Sequence, residues 1–249
     1  FVFRTREFEQ MELEFFCKPG TELEWFAYWK NFAREFLLSL GIKSENIEFY
    51  DHPKEKLSFY SNATTDIKYR YPWGFDELWG IASRTDYDLL RHQEHSGESL
   101  EYLDPETNEK YIPYVIEPSL GVERLLLAIL TDALTEEDVE ATGETRTLLK
   151  IDKRLAPYQA AILPLVKKYH QDKAKEVFEE IVSDFTAVYD ETGNIGRRYR
   201  RQDAIGTPFA VTIDDNTLSD DTVTIRERDT MEQERIAIKD LKKYLKNHF

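Results

Sequence analysis

The first sixteen residues, FVFRTREFEQMELEFF, alternate between two kinds of side chain. Read with the period of a β-strand, Met11, Leu13 and Phe15 lie on one apolar face, which predicts core packing. The other face carries cations, an aromatic ring and acids, namely Arg4, Arg6, Phe8, Gln10, Glu12 and Glu14. A site for a charged, ring-bearing ligand needs such a surface, but a half-solvated strand of an antiparallel sheet gives the same alternation. This stretch alone leaves both interpretations open.

The pattern continues with one clear helix and several β-type segments. Apolar residues at helical spacing over residues 21–41 predict an amphipathic helix that ends at Gly41. The segment 46–51 predicts a strand, and the polar and aromatic segment 56–75 predicts a loop region. Residues 76–93 predict a strand that leads into a turn.

Residues 99–119 contain two β-rich runs around Asp-Pro-Glu-Thr-Asn and predict a hairpin. The run 120–134 is almost wholly apolar, so it predicts a buried helix. Residues 134–150 are acidic and polar, and we interpret them as a linker.

After the linker, strand-like and helix-like patterns alternate. The predicted strands are 158–166, 208–214 and 222–228, and the predicted helices are 172–189 and 233–248. Alternation on this scale is typical of a small α/β domain.

Composition adds limits on class and compartment. A chain of 249 residues with 41% hydrophobic residues can form one large or two ordinary domains. The net charge of −15 argues against a general nucleic-acid coat, and residues 1–150 carry most of it, with 16 basic against 30 acidic residues. The single cysteine, Cys17, and the lack of a run of eighteen apolar residues lead us to expect a soluble, cytoplasmic protein.

Four segments together resemble bacterial glycyl-tRNA synthetases of the homodimeric class II type. They are FRTREFEQME, ATTDIKYRYPWG, ELWGIASRTDYDL and EPSLGVERLLLAIL, in the order and spacing of that family. The resemblance implies a partial class II catalytic core, an antiparallel-sheet α+β fold, in residues 1–150. It also implies that residues 151–249 form a small α/β domain like the anticodon-binding domain shared by the glycyl, histidyl, prolyl and threonyl enzymes.

The resemblance assigns the ATP site to motifs 2 and 3. It implies that Arg4 reaches the ATP phosphates, that Phe8 stacks on adenine, and that Gly121-x-x-Arg124 is motif 3, with Arg4 and Arg124 as catalytic residues. Glu77 is implied to hold Mg²⁺ between phosphates, because this cation takes oxygen ligands. The ATP-binding residues implied are Phe3, Arg4, Thr5, Arg6, Glu7, Phe8, Glu77, Leu78, Gly121, Val122, Glu123 and Arg124.

The resemblance also assigns a glycine site, with Glu12, Glu117 and Ser119 around the ammonium group and Arg84 on the carboxylate. The implied reaction is attack of the glycine carboxylate on the α-phosphate of ATP, followed by transfer of glycine to its tRNA. The glycine-binding residues implied are Phe8, Glu9, Gln10, Met11, Glu12, Arg84, Glu117, Pro118, Ser119, Leu120 and Gly121.

The densest basic run, GRRYRRQDAIGTP, lies in the second half of the chain. Its arginines are candidates for tRNA contact, namely Arg197, Arg198, Arg200 and Arg201. A solvated strand edge would place charges in the same way.

Two other functions stay open. One is a non-catalytic, synthetase-like protein that binds nucleic acid or serves a polymerase as accessory subunit, and the other is a synthetase for a different amino acid of the same subclass. In the family, motif 1 and the first strand of motif 2 precede this point. The resemblance therefore implies a carboxy-terminal fragment that is weak or inactive alone and whose full-length protein is a homodimer.

Overall fold

The computed structural model describes residues 2–139 and 143–249, and the chain divides into two compact units. The first unit ends at Asp132 and the second begins at Ala133, which places the division before the predicted boundary at residue 150. An antiparallel core in the first unit and a small α/β fold in the second confirm the predicted fold class. The functional assignment of the two units stays a prediction.

The first unit contains a six-stranded antiparallel sheet and a separate two-stranded hairpin. The hairpin confirms the prediction for this part of residues 99–119. The strands are β1 (Gln10–Glu12), β2 (Phe15–Cys17), β3 (Ile47–Asp51), β4 (Ala63–Tyr71), β5 (Gly74–Thr85), β6 (Tyr102–Leu103), β7 (Lys110–Tyr111) and β8 (Tyr114–Gly121). In the large sheet the order is β1-β8-β5-β4-β3, with β2 also paired to β8, whereas β6 pairs with β7.

Three helices accompany this sheet: α1 (Glu22–Ser39), α2 (Tyr87–Ser96) and α3 (Val122–Ala133). The predicted amphipathic helix is confirmed as α1, which buries Phe26, Ala33 and Leu37 and packs on β5 and β8. The prediction that the apolar helix α3 is buried holds for one side only, because Leu125 and Ala128 are buried whereas Leu126 and Leu130 are exposed.

The opening strand is shorter than predicted. Residues 2–9 form turns and bends, so Arg4, Arg6 and Phe8 lie on a loop and not on a strand. The strand is also interrupted between β1 and β2, where Leu13 donates to the Pro118 carbonyl but proline has no N–H to return the bond. The predicted apolar face is wrong for Met11 and Leu13, which are 46% and 40% exposed, whereas Phe15 packs on the core.

Two further predictions in the first unit are wrong. The predicted loop region contains β4, whose Thr65, Ile67, Tyr69 and Tyr71 are buried while the intervening residues are polar. This period of two was present in the sequence, but two polar side chains, of Asp66 and Lys68, and neighbouring aromatics obscured it. The predicted turn after β5 is the helix α2.

The second unit contains a five-stranded mixed sheet, a two-stranded antiparallel pair and four helices in its described part. The strands are β9 (Leu134–Val139), β10 (Glu144–Leu149), β11 (Ala160–Pro164), β12 (Ala187–Tyr189), β13 (Phe209–Ile213), β14 (Thr222–Glu227) and β15 (Gln233–Ala237). The helices are α4 (Lys167–Ile181), α5 (Ile195–Ile205), α6 (Asp215–Asp220) and α7 (Ile238–Lys246). The five-stranded order is β12-β11-β13-β14-β15, with β11 parallel to both of its neighbours.

The interpretation of residues 134–150 as a linker is wrong, because β9 and β10 pair there; Glu140, Ala141 and Thr142 lie outside the described residues. The polar character arises from cross-strand pairing: Arg146 lies opposite Glu137 in the register, and their charged groups are 2.7 Å apart. Opposite charges at facing positions stabilise an antiparallel pair.

The basic run forms the helix α5 and not a strand edge. The Asn194 side chain accepts a hydrogen bond from the Arg197 N–H at 2.9 Å, and Gly206 ends the helix with φ 85°. A Cβ at Gly206 would lie 2.8 Å from Ile151 Cγ2, so glycine also permits a close approach here. Two predicted helices are shorter than expected, since 187–189 and 233–237 are the strands β12 and β15.

Within residues 2–139 and 143–249, no helix combines the length and the apolar character that a membrane crossing requires.

Candidate active site

A cleft of about 340 Å³ in the first unit collects most of the predicted ATP-site residues. It is formed by the loop before β1, the start of β5, the end of β8 and the start of α3. Its lining residues are Val2, Phe3, Arg4, Thr5, Phe8, Gln10, Glu77, Leu78, Gly80, Ser119, Gly121, Glu123 and Arg124. Arg6, Glu7 and Val122 of the predicted ATP set are not among them.

The register of three strands explains why distant residues share this surface. Gln10 faces Gly121 and Glu12 faces Ser119 across the β1–β8 pair, while Gly80 of β5 lies on the other side of Ser119. Side chains at alternate positions point to the same face. Gly80 has no Cβ, and one built there would meet only Glu77 Oε1 at 3.8 Å, so this position leaves room above the strand.

The same alternation removes several predicted glycine-binding side chains from the cleft. Met11 pairs with Leu120 in the register, one residue out of step with Glu12 and Ser119. The Leu120 side chain is 1% exposed and belongs to the hydrophobic core. Pro118 is also buried. Their side chains therefore belong to the other face of the sheet.

Arg124 is held firmly at the start of α3. Its Nε donates to the Phe3 carbonyl at 3.2 Å, and its Nη1 donates to the Glu77 carbonyl at 2.9 Å. The guanidinium carbon lies 4.1 Å from the centre of the Phe3 ring. The start of α3 thus presents a fixed cation at the cleft.

Arg4 and Phe8 are far less constrained than Arg124. Both are exposed and line the cleft, and Phe8 is 60% exposed. Within residues 2–139 and 143–249, no hydrogen bond or ion pair engages the Arg4 side chain. A free guanidinium and an uncovered ring at the edge of one cleft are available to an anionic, ring-bearing ligand.

The loop that carries Arg4 and Phe8 is tied to the start of α3. The Glu9 N–H donates to both carboxylate oxygens of Glu123, at 3.0 and 3.2 Å, and the Val122 N–H donates to the Glu9 carbonyl at 2.9 Å. Glu9 and Glu123 therefore have a structural role in joining the loop to the start of α3.

An acidic group adjoins the cleft on the same face. The Ser119 hydroxyl donates to Glu12 Oε1 at 3.3 Å and accepts from the Gln10 amide. Glu14 lies between β1 and β2, two residues after Glu12. Partial burial and a hydrogen bond with Glu117 raise the pKa of Glu14 to about 7, with a smaller contribution from Glu12 and an opposing one from Arg84. A cation such as an ammonium group would relieve this repulsion.

Arg84 bridges two carboxylates beside this group. Its Nε and Nη2 donate to Asp88 at 2.7 and 3.2 Å, and its Nη1 lies 3.0 Å from Glu117 Oε2. The guanidinium carbon also lies 4.2 Å from the Tyr60 ring centre. The arginine predicted to bind a substrate carboxylate is therefore already engaged by protein acids.

Sequence reasoning assigned no role to Val2, Tyr60, Gly80 and Asp88, and it placed Glu14 on the polar face without a role in the site. Glu14 had a visible signal, because it follows Glu12 by two residues in the alternating segment. Asp88 follows Arg84 by four residues, a spacing that suggests an ion pair only in retrospect. The pair was hard to recognise because it joins the end of β5 to the start of α2. Tyr60 and Gly80 had no signal in the sequence.

Comparisons with known proteins bear on both units. Residues 159–248 match the family described as "Anticodon binding domain". Over 245 residues the chain is 60% identical to the glycine–tRNA ligase of Clostridium acetobutylicum and 62% identical to that of Geobacillus kaustophilus, in each case covering 98% of this chain and 53% of the relative. Over nearly its whole length, the chain is therefore similar to part of these two glycine–tRNA ligases.

The glycine–tRNA ligase of Bacillus cereus is similar as well, at 58% identity over the same length. These matches confirm the predicted resemblance and favour it over an accessory-protein interpretation. The chain spans about half the length of the curated relatives it matches.

The basic run lies inside the part that matches the anticodon-binding family. Arg198 is buried and donates to the carbonyls of Pro164, Glu191 and Gly193, so its side chain does not reach a surface ligand. Arg201 donates to Asp190, and Arg200 to the Thr145 carbonyl and Glu144. Arg197 is exposed, and the described residues offer its side chain no hydrogen bond or ion pair.

Proposed function

We propose that this chain forms the adenylate site of a glycine–tRNA ligase, which activates glycine with ATP and transfers it to glycine tRNA. The observation that carries the proposal is a single cleft that holds Arg4, Phe8 and Arg124 next to Glu12, Ser119 and Glu117. The 60% identity to glycine–tRNA ligases gives independent support.

In this proposal the cleft binds ATP between its two motifs. Phe8 and Arg124 provide an aromatic face and a planar cation for adenine, and Arg4 donates to the phosphates. Each charge-assisted hydrogen bond to a charged group contributes about 1.5 to 3 kcal/mol. The glycine carboxylate attacks the α-phosphate in line while pyrophosphate leaves, so the protein supplies position and positive charge and no nucleophile.

Magnesium fits this arrangement through Glu77. Its side chain lines the cleft and is 53% exposed, and its carboxylate lies 3.6 Å from Arg124 Nη1. Mg²⁺ commonly binds through one or two carboxylates together with substrate phosphates and water. The ion would neutralise phosphate charge, and one protein carboxylate is enough for that role.

Glycine would be recognised by the acidic group. Glu12, Glu117 and Ser119 offer oxygen acceptors for its ammonium, and Glu14 adds a further acid in hydrogen-bond contact with Glu117. Arg84 uses one N–H of its Nη2 on Asp88, which leaves a second N–H on that nitrogen for the glycine carboxylate. Side chains larger than hydrogen would be rejected by clash.

The proposal extends to the partners of the whole protein. Residues 159–248 would contact the anticodon region of glycine tRNA, through Arg197 among the basic residues of α5. The full-length protein would act as a homodimer in the cytoplasm, where protein synthesis takes place.

Calorimetric titration of the chain with glycyl sulfamoyl adenosine, a non-hydrolysable glycyl-adenylate analogue, tests the proposal. We expect saturable binding that is lost or strongly weakened with the alanyl analogue and with adenosine alone. Equal affinity for the glycyl and alanyl analogues would contradict glycine selection, and no binding by the folded chain would contradict an adenylate site in these residues.

A further inference from the structure

A group of aromatic side chains supports Arg124 from the side of β4 and β5. It consists of Phe3, Tyr71 and Trp73, of which only Phe3 lines the cleft. We infer that Phe3 and Trp73 are positioning residues that fix the plane of the Arg124 guanidinium for stacking on the adenine of the ligand. The inference rests on the proposed adenylate site.

The Phe3 ring lies against the Arg124 guanidinium. The guanidinium carbon lies 4.1 Å from the ring centre, while Nε and Nη1 donate to the carbonyls of Phe3 and Glu77. Two hydrogen bonds and one ring contact leave the guanidinium little freedom to turn. Among the described residues, no second ring lies against this guanidinium, which lines the cleft and is available to a planar ligand there.

Phe3 is itself held by two other rings. Tyr71 and Trp73 both meet it edge to face, with ring centres 5.0 Å away and interplanar angles of 70° and 74°. Tyr71 and Trp73 are stacked on each other at 5.0 Å with an angle of 5°. Edge-to-face and stacked pairs have preferred geometries, so the Phe3 plane is defined by its neighbours.

Polar bonds connect the same residues on the opposite side. Trp73 Nε1 donates to Asp76 at 3.2 Å, and Asp76 accepts from the Glu77 N–H at 2.9 Å. The Glu77 carbonyl in turn accepts from Arg124. The contacts therefore form a closed ring from Arg124 through Glu77, Asp76, Trp73 and Phe3 back to Arg124. A half-exposed tryptophan with this connectivity contributes to orientation more than to core burial.

The first test uses the glycyl sulfamoyl adenosine titration with ring-removing and ring-keeping variants. Phe3→Leu keeps apolar bulk without a π face and should weaken binding roughly tenfold, whereas Phe3→Tyr should stay near wild type. Trp73→Leu should weaken binding by a smaller factor, with Trp73→Phe as its matched control. Pyrophosphate, which has no adenine, should bind the wild type and Phe3→Leu equally.

The second test needs no ligand. The Arg124 guanidinium lies against the Phe3 ring, so the NMR signal of Arg124 Nε–H should show a ring-current shift in the wild type and in Phe3→Tyr. The signal is assigned by its loss in Arg124→Lys. Phe3→Leu should remove the ring-current shift. Trp73→Leu should alter the same signal. Unchanged Arg124 signals in Phe3→Leu would overturn the inference, as would equal weakening of the analogue by Phe3→Leu and Phe3→Tyr. Failure of the wild type to bind the analogue would contradict the proposed function instead, while this signal still decides the positioning role.

Discussion

Arginines have opposite uses in the two units of the molecule. At the cleft of the first unit, Arg4 is exposed and has no partner in the described residues, and Arg124 is fixed by two backbone carbonyls. In the second unit, Arg146 and Arg198 are each 2% exposed and donate to protein oxygens inside the fold. Arginine density along a sequence therefore does not indicate which arginines are available to a ligand.

Carboxylates also differ between the two units, in the direction in which their pKa is shifted. Beside the cleft, burial and contact with Glu117 raise the pKa of Glu14 to about 7. In the second unit, a hydrogen bond with Lys150 and a second one with Arg146 lower the pKa of Glu137. A group of acids without enough cations is unfavourable for folding but suits a cationic ligand, and such groups are common at functional sites.

Removal of Asp203 should produce the largest effect and would break the buried network of the second unit. Asp203 is 1% exposed and accepts from Arg226 at 2.8 and 3.0 Å and from Arg146 at 3.2 Å. Asp203→Ala leaves two buried guanidiniums without this partner, which should reduce the free energy of unfolding by about 3 to 5 kcal/mol.

Urea denaturation and hydrogen exchange of the β13 amides would measure this change. Asp184→Ala is the control, because Asp184 forms an exposed pair with Lys242 and should change stability by less than about 1 kcal/mol. Similar losses in both variants would show that the buried arginines do not depend on Asp203.

Arg4→Ala should give the next largest effect, and on binding only. Loss of one charge-assisted contact of about 1.5 to 3 kcal/mol corresponds to roughly 10-fold to 150-fold weaker binding of the glycyl-adenylate analogue. Thermal unfolding should be unchanged, since Arg4 has no described partner to lose. Arg34→Ala, which removes a partly exposed arginine of α1 that pairs with Glu35, is the control for net charge. A change in stability without a change in affinity would contradict the comparison.

The sequence predicted the architecture where local patterns carry the information. Apolar periodicity and Gly41 defined α1, and alternation of strands and helices identified the small α/β unit. The interpretation of the basic run as a strand edge was wrong. Asn194 and Gly206 mark the two ends of a helix, but the arginines between them drew attention to a charged surface instead. Burial of Arg198 depends on carbonyls of β11 and of the loop before α5, which no local pattern reveals.

The sequence indicated which residues belong to the candidate site, but it did not indicate the contacts that hold their side chains in place. The family resemblance identified Arg4, Phe8, Glu12 and Arg124, and most of these side chains meet at one cleft. The contacts that hold them, such as the Phe3 ring under Arg124, depend on a 121-residue separation along the chain. The alternating segment at the start of the chain forms strands only at Gln10–Glu12 and Phe15–Cys17, and its pattern gave no warning of the turns before Gln10.

Glu14→Gln tests the comparison of carboxylates through the pH dependence of the free energy of unfolding. The pKa of Glu14 is raised in the folded state from an ordinary 4.5 to about 7, so its contribution to stability is full below pH 4.5 and is lost as pH rises towards 7. Glu14→Gln removes this loss, and the variant should gain stability relative to wild type over that range.

Glu137→Gln is the matched variant with the opposite sign. The pKa of Glu137 is lowered, so its contribution is present above 4.5 and disappears as pH falls through the folded-state pKa. The difference between wild type and Glu137→Gln should therefore shrink in acid. Urea denaturation from about pH 2.5 to pH 8 would measure both slopes, and parallel curves for the two variants would contradict the assignment.

Arg197→Ala should have the smallest effect on stability and tests whether any arginine of α5 resembles Arg4. Arg197 is exposed and has no described side-chain partner, so the free energy of unfolding should change by less than about 0.5 kcal/mol. If it contacts a tRNA phosphate, the variant should bind glycine tRNA more weakly and with a salt dependence reduced by about one ion. Arg200→Ala, at an arginine paired with Glu144, is the control. An unchanged salt dependence in Arg197→Ala would contradict a contact between Arg197 and a tRNA phosphate.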